Sequence, residues 1–547
     1  MPQKFTKHQL FIGRSIWACM VAYIAVSIID WQIAGRPSAE WTVTTFLAIV
    51  LGALGFLAAN EQVERAIEWM GRTWKAGIAF ALVATVLLVA LLSPYPYLQR
   101  TITLGADLPL SGIDKANGEA VKRGIELAID LENAANKDGS GFDYSFKLRS
   151  LDDVTDPKGS ANAGVGKKNI EKLKGDQRVA GIIGPYNTDV AIKEIPVANA
   201  ENDRVALISP STTAECLTGP KDATQTRVQY DCDNGYLNGK DGKGAYFSLA
   251  APSHKMGEVY VGCLSADVLA VAGLCPNMPH KGGQLYRKAA VIDDGSVFSV
   301  AFADSIAAHW KAHSRTPLLY GPESSGPSRV ELDLREKLAE IQALTDTPDL
   351  LIFVGSYQNS ATFQRLLSDF SDLGGADIAY STSIMNVAPT EHFLHSTGSD
   401  RSYYAVAPLI SLKDSANPNA QKFVSAYREK YNVDPNPYSA TGYDAANILI
   451  GAIKKAVNEQ AVVPNPTLLQ HLMGRSSKEA KDFRQAVIEK IRDDTHYESA
   501  ASATGTYSFA RNSNGELRDQ KSSAVSVFRW VPNNIGRDTN INGWDFQ

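Results

Sequence analysis

Three apolar runs stand at the front of the chain, Phe11–Ile29, Thr42–Ala59 and Ala76–Ser93. The second and third each carry no charge over 18 residues. At about 1.5 Å of rise per residue, such a run nearly matches a hydrocarbon core of about 30 Å. The first holds only Arg14, near its start, where a long side chain reaches the headgroups. Trp31, Trp41, Trp69, Trp74 and Tyr95 flank the runs as interfacial aromatics. The pattern predicts an uncleaved membrane anchor, residues 1–99, with three transmembrane helices at about 11–29, 42–59 and 76–93. Lys4, Lys7 and Arg14 precede or begin the first span, and Arg65, Arg72 and Lys75 lie between the second and third. The loop between the first and second spans has only Arg36. Basic residues favour the cytoplasmic side, so the N-terminus is expected inside and everything after Ser93 outside, in the cell membrane as a multi-pass protein.

From Arg100 onward the period changes. Short apolar runs alternate with helical patterns: strands at 101–106, 146–152, 178–183 and 205–208, helices at 118–133, near 156 and from 188. The second helix is expected to open at Asp156-Pro157, a capping carboxylate followed by the residue best tolerated in a first turn. The rhythm resumes with strands at 289–292, 317–320 and 350–354 and helices at 298–312, 329–344 and 357–370. Such alternation implies parallel sheets with helices on both faces, and it runs through more units than one sheet needs. An α/β architecture of two lobes is the expectation, with 217–245 as a surface insertion.

Composition narrows the classes. The 547 residues are 44% apolar and 21% charged with a net charge of −5, which is ordinary for globular protein and too acidic for a nucleic-acid binder. Of five cysteines, Cys216, Cys232, Cys263 and Cys275 fall in the outer part, and four cysteines allow three pairings. Neighbour pairing, 216 with 232 and 263 with 275, is favoured because each closes a short loop.

Reaction chemistry is missing from the motifs. His309 and His313 have the spacing of a zinc pair on a helix, but no glutamate follows the first histidine. Gly164 and Gly166 lack the third glycine of a dinucleotide loop, and neither a GxSxG elbow nor a Walker lysine motif occurs. Asp152, Asp153 and Asp156 form an acidic cluster that a strand end and a helix cap explain more simply than a cation does. A binding protein is expected rather than an enzyme, with no cofactor and no metal.

In open parallel sheets, ligands sit beyond the carboxyl ends of strands. Two loops there carry suitable groups, Gly184–Asp189 with Tyr186, and Ser209–Thr213. Thr188 falls at a helix start, where unpaired N–H groups favour an anion, and Ser211 and Thr213 would complete a cradle for a carboxylate.

These residues also carry a resemblance. Leu110-Ser-Gly112, the helix 118–133, Asp152-Asp153, Ile182-Ile-Gly-Pro185, Ile208-Ser-Pro-Ser-Thr-Thr213, Ala290-Val-Ile-Asp-Asp294, Ile352-Phe-Val-Gly355, Ser439-Ala-Thr-Gly-Tyr-Asp444 and Gly505-Thr-Tyr-Ser-Phe509 follow in order over about 100–530. Together they resemble the type 1 periplasmic binding proteins, and most nearly the leucine/isoleucine/valine-binding branch that serves ABC transporters. The resemblance implies two lobes joined by a hinge of three crossovers, 100–251 with 406–505 and 252–405 with 506–547. It implies that Thr188, Ser211 and Thr213 hold a ligand carboxylate, that Phe298 covers it and that Tyr357 faces the cleft. Asn117 and Tyr438 would line the pocket. The glutamate that pairs with the ligand ammonium in the family should fall near Ser383 and is not there; Asp293 or Asp294 is the available substitute, with strand-end solvation and helix capping as their simpler roles. The expected function is capture of a small amino-acid-like or carboxylate solute by hinge closure, for an ABC permease. The alternatives are a sensor that signals to a membrane partner and an envelope scaffold that binds no solute.

Overall fold

A computed structural model gives the fold and describes residues 101–137, 142–156, 159–218, 244–264, 286, 288–312, 318–320, 330–355, 357–367, 369–370, 373, 376–380, 403–407, 412, 417–464, 477–493, 502–504, 526–530 and 544–546. The chain divides into two compact units, Met1–Pro96 with Pro466–Met473, and Tyr97–Asn465 with Gly474–Gln547. The three expected spans lie outside the described residues. No described helix is long and apolar enough to cross a membrane.

The second unit contains two sheets. The first is built from β1 (Thr101–Leu108), β2 (Ser145–Asp152), β3 (Val179–Ile183), β4 (Ala206–Ser209) and β5 (Tyr246–Ser248), all parallel, in the order β2-β1-β3-β4-β5. Helices α1 (Lys115–Lys137), α2 (Ala163–Gly175) and α3 (Thr188–Ala198) form the crossovers, as parallel pairing requires. Side chains of β1 alternate with the period of two, so Ile102, Leu104, Ala106 and Leu108 enter the core shared with α1. In β3, whose register with β1 shifts, Val179 and Ile182 enter the core under α2 and α3 and Ala180 and Ile183 the other.

After α4 (Ser253–Leu264) comes the second sheet, from β6 (Ala289–Asp293), β7 (Leu318–Tyr320), β8 (Leu350–Val354), β9 (Asp377–Tyr380) and β10 (Tyr403–Ala407). These five are parallel, with α5 (Val297–Ala312), α6 (Val330–Gln342) and α7 (Tyr357–Leu367) between them. Helices α8 (Pro418–Tyr431), α9 (Pro437–Asn458) and α10 (Lys478–Asp493) follow. The chain then finishes at the edge of the second sheet with β11 (Ser526–Trp530) and β12 (Trp544–Phe546), both antiparallel. That sheet is therefore mixed, a correction to the expectation of parallel sheets.

A second correction concerns α2. It opens at Ala163, not at Asp156, because the Asn162 side chain accepts from the N–H groups of Gly164 (2.9 Å) and Val165 (3.1 Å). The chain first turns at Asp156, whose carbonyl accepts from Gly159 N–H at 2.7 Å, and Val154 bridges Ala161. A side-chain oxygen placed on two orphan donors defines the cap better than an acid six residues earlier.

Helices from the second half of the chain return to the first sheet. Gly124 of α1 and Gly442 of α9 let the two backbones touch. A Cβ at Gly124 would lie 2.0 Å from Ser439 O, and one at Gly442 would lie 2.4 Å from Val121 O. Arg484 of α10 is fully buried, and its guanidinium donates to the carbonyls of Val179, Lys174 and Asp176 at 2.8–2.9 Å and to the Asp203 carboxylate at 3.1 Å. Removing one partner of such a buried set typically costs about 3–5 kcal/mol.

Two further contacts fasten segments that run between the sheets. Glu215 accepts from His254 N–H (2.6 Å) and Nδ1 (3.0 Å) where the chain enters α4. Buried Asp444 of α9 gathers residues 502–504, accepting from Ser502 Oγ (3.0 Å), Ala503 N–H (2.7 Å), Thr504 N–H (2.9 Å) and the Thr504 hydroxyl. Burial pushes the Asp444 carboxyl up to about 6, against these four donors.

Candidate functional site

The loop after β3 turns at Gly184, whose φ of 133° and 2.2 Å clearance from Asp107 O exclude a side chain. Asn187 then occupies the cap position of α3 but makes no cap bond, because its Nδ2 donates to Asp114 Oδ2 at 3.1 Å. The first-turn N–H groups of α3 are thus left without a side-chain cap, the condition under which a helix start attracts a partner from outside. Thr188, the first residue of α3, is buried, and its hydroxyl makes no hydrogen bond among the described residues.

The loop after β4 is braced against the first. Ser209 Oγ donates to Pro185 O (2.8 Å) and accepts from Thr212 N–H (3.1 Å). Ser211 donates its hydroxyl proton to Tyr186 O at 2.6 Å, so it locks the two loops together and keeps only acceptor capacity. Thr213 is buried; Ser253 Oγ lies 3.1 Å from its carbonyl and 3.2 Å from its Oγ1.

Beside Thr188 lies an aromatic group. Asn117 Nδ2 donates to Tyr186 OH at 2.6 Å, and the Tyr186 and Tyr438 rings meet edge to face at 5.1 Å. Burial, with Tyr438 and the Asp114 charge adding to it, pushes the Tyr186 phenol well above its ordinary value. From the second sheet, α5 presents its first turn: Val297 N–H donates to Asp189 Oδ1 at 3.4 Å, and half-buried Phe298 stacks on Phe302 with ring centres 6.0 Å apart. Tyr357 opens α7. Ser383 lies outside the described residues.

Asn117, Tyr186, Thr188, Ser211, Thr213 and Tyr438 are thus tied to one another or to adjacent turns of the first sheet, while Phe298 is carried by α5 of the second. Asp294 takes the capping role, accepting from Ser296 N–H (3.2 Å), Ser296 Oγ (2.9 Å) and Asn359 Nδ2 (2.9 Å). Asp293 accepts from Gly295 N–H at 3.0 Å. His309 turns back on its own helix, with Nδ1 2.9 Å from Ser305 O, and His313 lies outside the described residues. Among the described residues no group of side chains is arranged to hold a metal ion. Cys216 and Cys263 are buried and disulfide-bonded, and their expected partners Cys232 and Cys275 lie outside the described residues.

Several acids escaped the sequence reading. Asp114 and Asp189 both sit above the usual carboxylate range, chiefly through burial; the charge of Asp294 adds to the effect at Asp189. Deeper, on the α2 and α3 face of the first sheet, Asp107, Asp153 and Glu194 are fully buried. Asn169 Nδ2 donates to Asp107 Oδ1 at 2.7 Å, Glu194 shares a carboxyl–carboxyl hydrogen bond with Asp107, and both carboxylate oxygens of Asp153 meet no donor among the described residues. Burial pushes Asp107 and Glu194 up together, and it raises Asp153 to about 8 with the charges of Asp107, Asp152 and Asp114 contributing. The signal was present in β1: Thr103, Gly105 and Asp107 alternate with its apolar residues, which sends Asp107 inward on the opposite face. Asp152 does end its strand, accepting from Leu110 N–H (3.0 Å) and Val154 N–H (3.1 Å).

The profile of the periplasmic binding proteins matches residues 101–530. A Leu/Ile/Val-binding protein of Rhizobium johnstonii is 35% identical over 136 residues, 24% of this chain and 33% of that protein. A Leu/Ile/Val-binding protein homologue of Brucella abortus is 36% identical over 117 residues, 21% and 28% of the two chains. The chain thus spans about a third or less of the length of these curated relatives. Among solved structures, the leucine-binding protein LivK of Thermotoga maritima superposes with a TM-score of 0.54 at 17% identity, covering 82% of this chain and 97% of that one. LivJ of Streptococcus pneumoniae in complex with isoleucine gives 0.51 at 17%, covering 82% and 99%. A solute-binding protein of R. palustris in complex with benzoate gives 0.51 at 16%, covering 81% and 96%. At these identities the superpositions establish the fold, a two-lobed α/β architecture.

The buried acids make stability depend on pH. Between the ordinary carboxylate value and about 8, folded Asp153 keeps a proton that the unfolded chain releases, so stability falls as pH rises through that window. The melting temperature should therefore drop from about pH 5 to about pH 8, and Asp153→Asn should flatten that slope and add on the order of 2 kcal/mol at the upper end. Urea unfolding of both proteins across this range checks it; a wild-type chain that gains stability with pH contradicts it.

Proposed function

The chain belongs to the periplasmic binding protein family, and on that premise we propose that it is a membrane-tethered extracytoplasmic receptor that captures a small amino-acid-like solute for ABC-type uptake. The observation that carries this reading is the uncapped start of α3. Asn187 does not cap that turn, and the buried Thr188 hydroxyl has no partner among the described residues, with Thr213 on the neighbouring loop. These donors suit the carboxylate of an amino acid, each charged hydrogen bond contributing about 1.5–3 kcal/mol. Leucine and isoleucine, which relatives are named for or hold, belong to that class.

In this reading the lobes are 100–251 with 406–505 and 252–405 with 506–547. They close on the solute, with Phe298 and Tyr357 as covering residues from the second lobe and Tyr186, Asn117 and Tyr438 as the wall of the first. Ser211 holds the two loops in register instead of donating to the solute. The resemblance puts the partner of the ligand ammonium near Ser383, which supplies no charge. Closure follows from higher affinity for the closed state and involves no covalent chemistry. Two disulfides, Cys216 with Cys232 and Cys263 with Cys275, suit an oxidising compartment. The three apolar runs of residues 11–29, 42–59 and 76–93 hold the receptor at the membrane for a permease partner.

Titration of the full-length chain with single L-amino acids, leucine and isoleucine among them, should raise its melting temperature; a solute at a hundred times its dissociation constant adds about 2.7 kcal/mol. Thr188→Ala should weaken that binding roughly tenfold or more while leaving the unliganded melting temperature unchanged. Equal affinity in the variant would remove Thr188 from the site. For the tether, a cysteine placed at exposed Lys168 should react with a membrane-impermeant maleimide on intact spheroplasts. Reaction only after lysis would reverse the topology.

A further inference from the structure

We propose that Glu215 and Ser253 are positioning residues for solute capture: together they fasten the loop that carries Thr213 to the first turn of α4, across the crossover between the two sheets. The proposal rests on the solute-binding reading of Thr213 and adds the groups that aim it.

The chain crosses from the first sheet toward the second between Ser248, the last residue of β5, and Ser253, the first of α4. This short stretch grips the loop after β4 at successive carbonyls. Leu249 N–H donates to Ser209 O at 2.9 Å, Ser248 Oγ to Thr212 O at 2.6 Å and Ser253 N–H to Thr213 O at 2.8 Å. Ser253 Oγ adds contacts to Thr213 O (3.1 Å) and to Thr213 Oγ1 (3.2 Å). The last of these falls on the hydroxyl assigned to the solute. Further along the loop, Glu215 accepts from His254 N–H at 2.6 Å and lies 3.0 Å from its Nδ1. Thr213, Glu215 and Ser253 are all buried. Thr213 N–H makes no hydrogen bond among the described residues, so the loop is held by its carbonyls and keeps that donor.

A carboxylate on a first-turn N–H group acts as a helix cap, and its negative charge suits the positive helix end. The cap of α4 comes from a residue 39 positions earlier in the chain, on the other side of the crossover. So distant a cap acts only when its loop is in place, and the order of the loop and of the α4 start therefore depend on each other. Behind it, α4 lies close against α5. A Cβ at Gly257 would stand 2.2 Å from Ser305 Oγ, and Ser305 Oγ donates to His254 O at 3.3 Å. The start of α5 carries Phe298, so contacts run from Thr213 through α4 to the helix of the covering residue. Apolar packing of Met256 and Tyr260 with Phe302 and Ile306 belongs to the core on this side and holds α4 without these bonds. What the bonds add is the placement of the loop.

Calorimetric titration of the full-length chain with the protein L-amino acids, one at a time, identifies the tightest as the probe. Glu215→Ala and Ser253→Ala should each weaken that amino acid about tenfold, the effect of losing one hydrogen bond to a charged group. On a Thr213→Ala background, Ser253→Ala should cause no further loss, because it acts through that residue. In wild type the N–H groups of Ser253 and His254 should exchange with solvent about tenfold more slowly once the same amino acid saturates the chain, and Thr213→Ala should abolish that protection. Should Glu215→Ala fail to fold, Ser253→Ala and the exchange measurement carry the test, since Ser253→Ala leaves its N–H on Thr213 O. Three results would each overturn the proposal and leave the solute-binding reading standing: unchanged affinity in Ser253→Ala, a loss that adds in full to that of Thr213→Ala, or exchange at 253 and 254 that ignores the solute. A wild-type chain that binds none of the amino acids would overturn both.

Discussion

A helix start whose cap residue bonds elsewhere is the electrostatic feature on which the rest of the site depends. In this chain, α3 begins at Thr188 with its cap residue turned away toward Asp114, and Asp189 follows with one long hydrogen bond from the opposite lobe. The N–H groups at such a helix start favour negative charge. The paired loops hold this geometry rigid, since Ser209 and Ser211 fasten the turn after β4 to Pro185 and Tyr186.

What lies beneath α3 explains why the arrangement persists. Gly166 of α2 admits Val190 and Glu194 of α3 at distances no side chain would allow, 2.5 and 2.6 Å from where a Cβ would stand. Glu194 shares its buried space with Asp107 of β1, and the pair is held by a retained proton rather than by a cation. Ordinary packing would avoid three buried acids, because each unpaired charge is strongly disfavoured. Their cost is offset by the cores on both faces of the sheet and by Arg484, which saturates three carbonyls from the far side. Asp444 and Glu215 are different in kind: four donors meet Asp444 and two meet Glu215, and both hold segments that run between the sheets.

Much of this architecture was legible in the sequence because its signals are local. The alternation of apolar runs with helical periods gave β1–β4 and β6–β8 within a few residues but not β5 or β9–β12, and the rule that ligands sit beyond strand ends pointed to the loops after β3 and β4. Four features were not legible. The start of α2 was misplaced because Asp156 and Asn162 are both good caps, and the choice depends on the bridge between Val154 and Ala161, a tertiary contact. The antiparallel edge of the second sheet depends on pairing between β10 and β11, strands far apart in sequence. The strand pattern of β1 turns Asp107 inward, but only the folded positions reveal that Asp153 and Glu194 share its burial. Ser211 was read as a donor to the solute, yet its proton goes to a carbonyl that only the folded loops bring within 2.6 Å.

The most direct test of the account is the distance between its two lobes. Spin labels at exposed Lys168 on α2 and exposed Glu336 on α6, each introduced through a cysteine in the full-length chain, report that distance by electron–electron resonance. A receptor that closes on a solute predicts a shorter and narrower distribution when a mixture of the protein amino acids is added. A distribution that stays the same with and without them would contradict it.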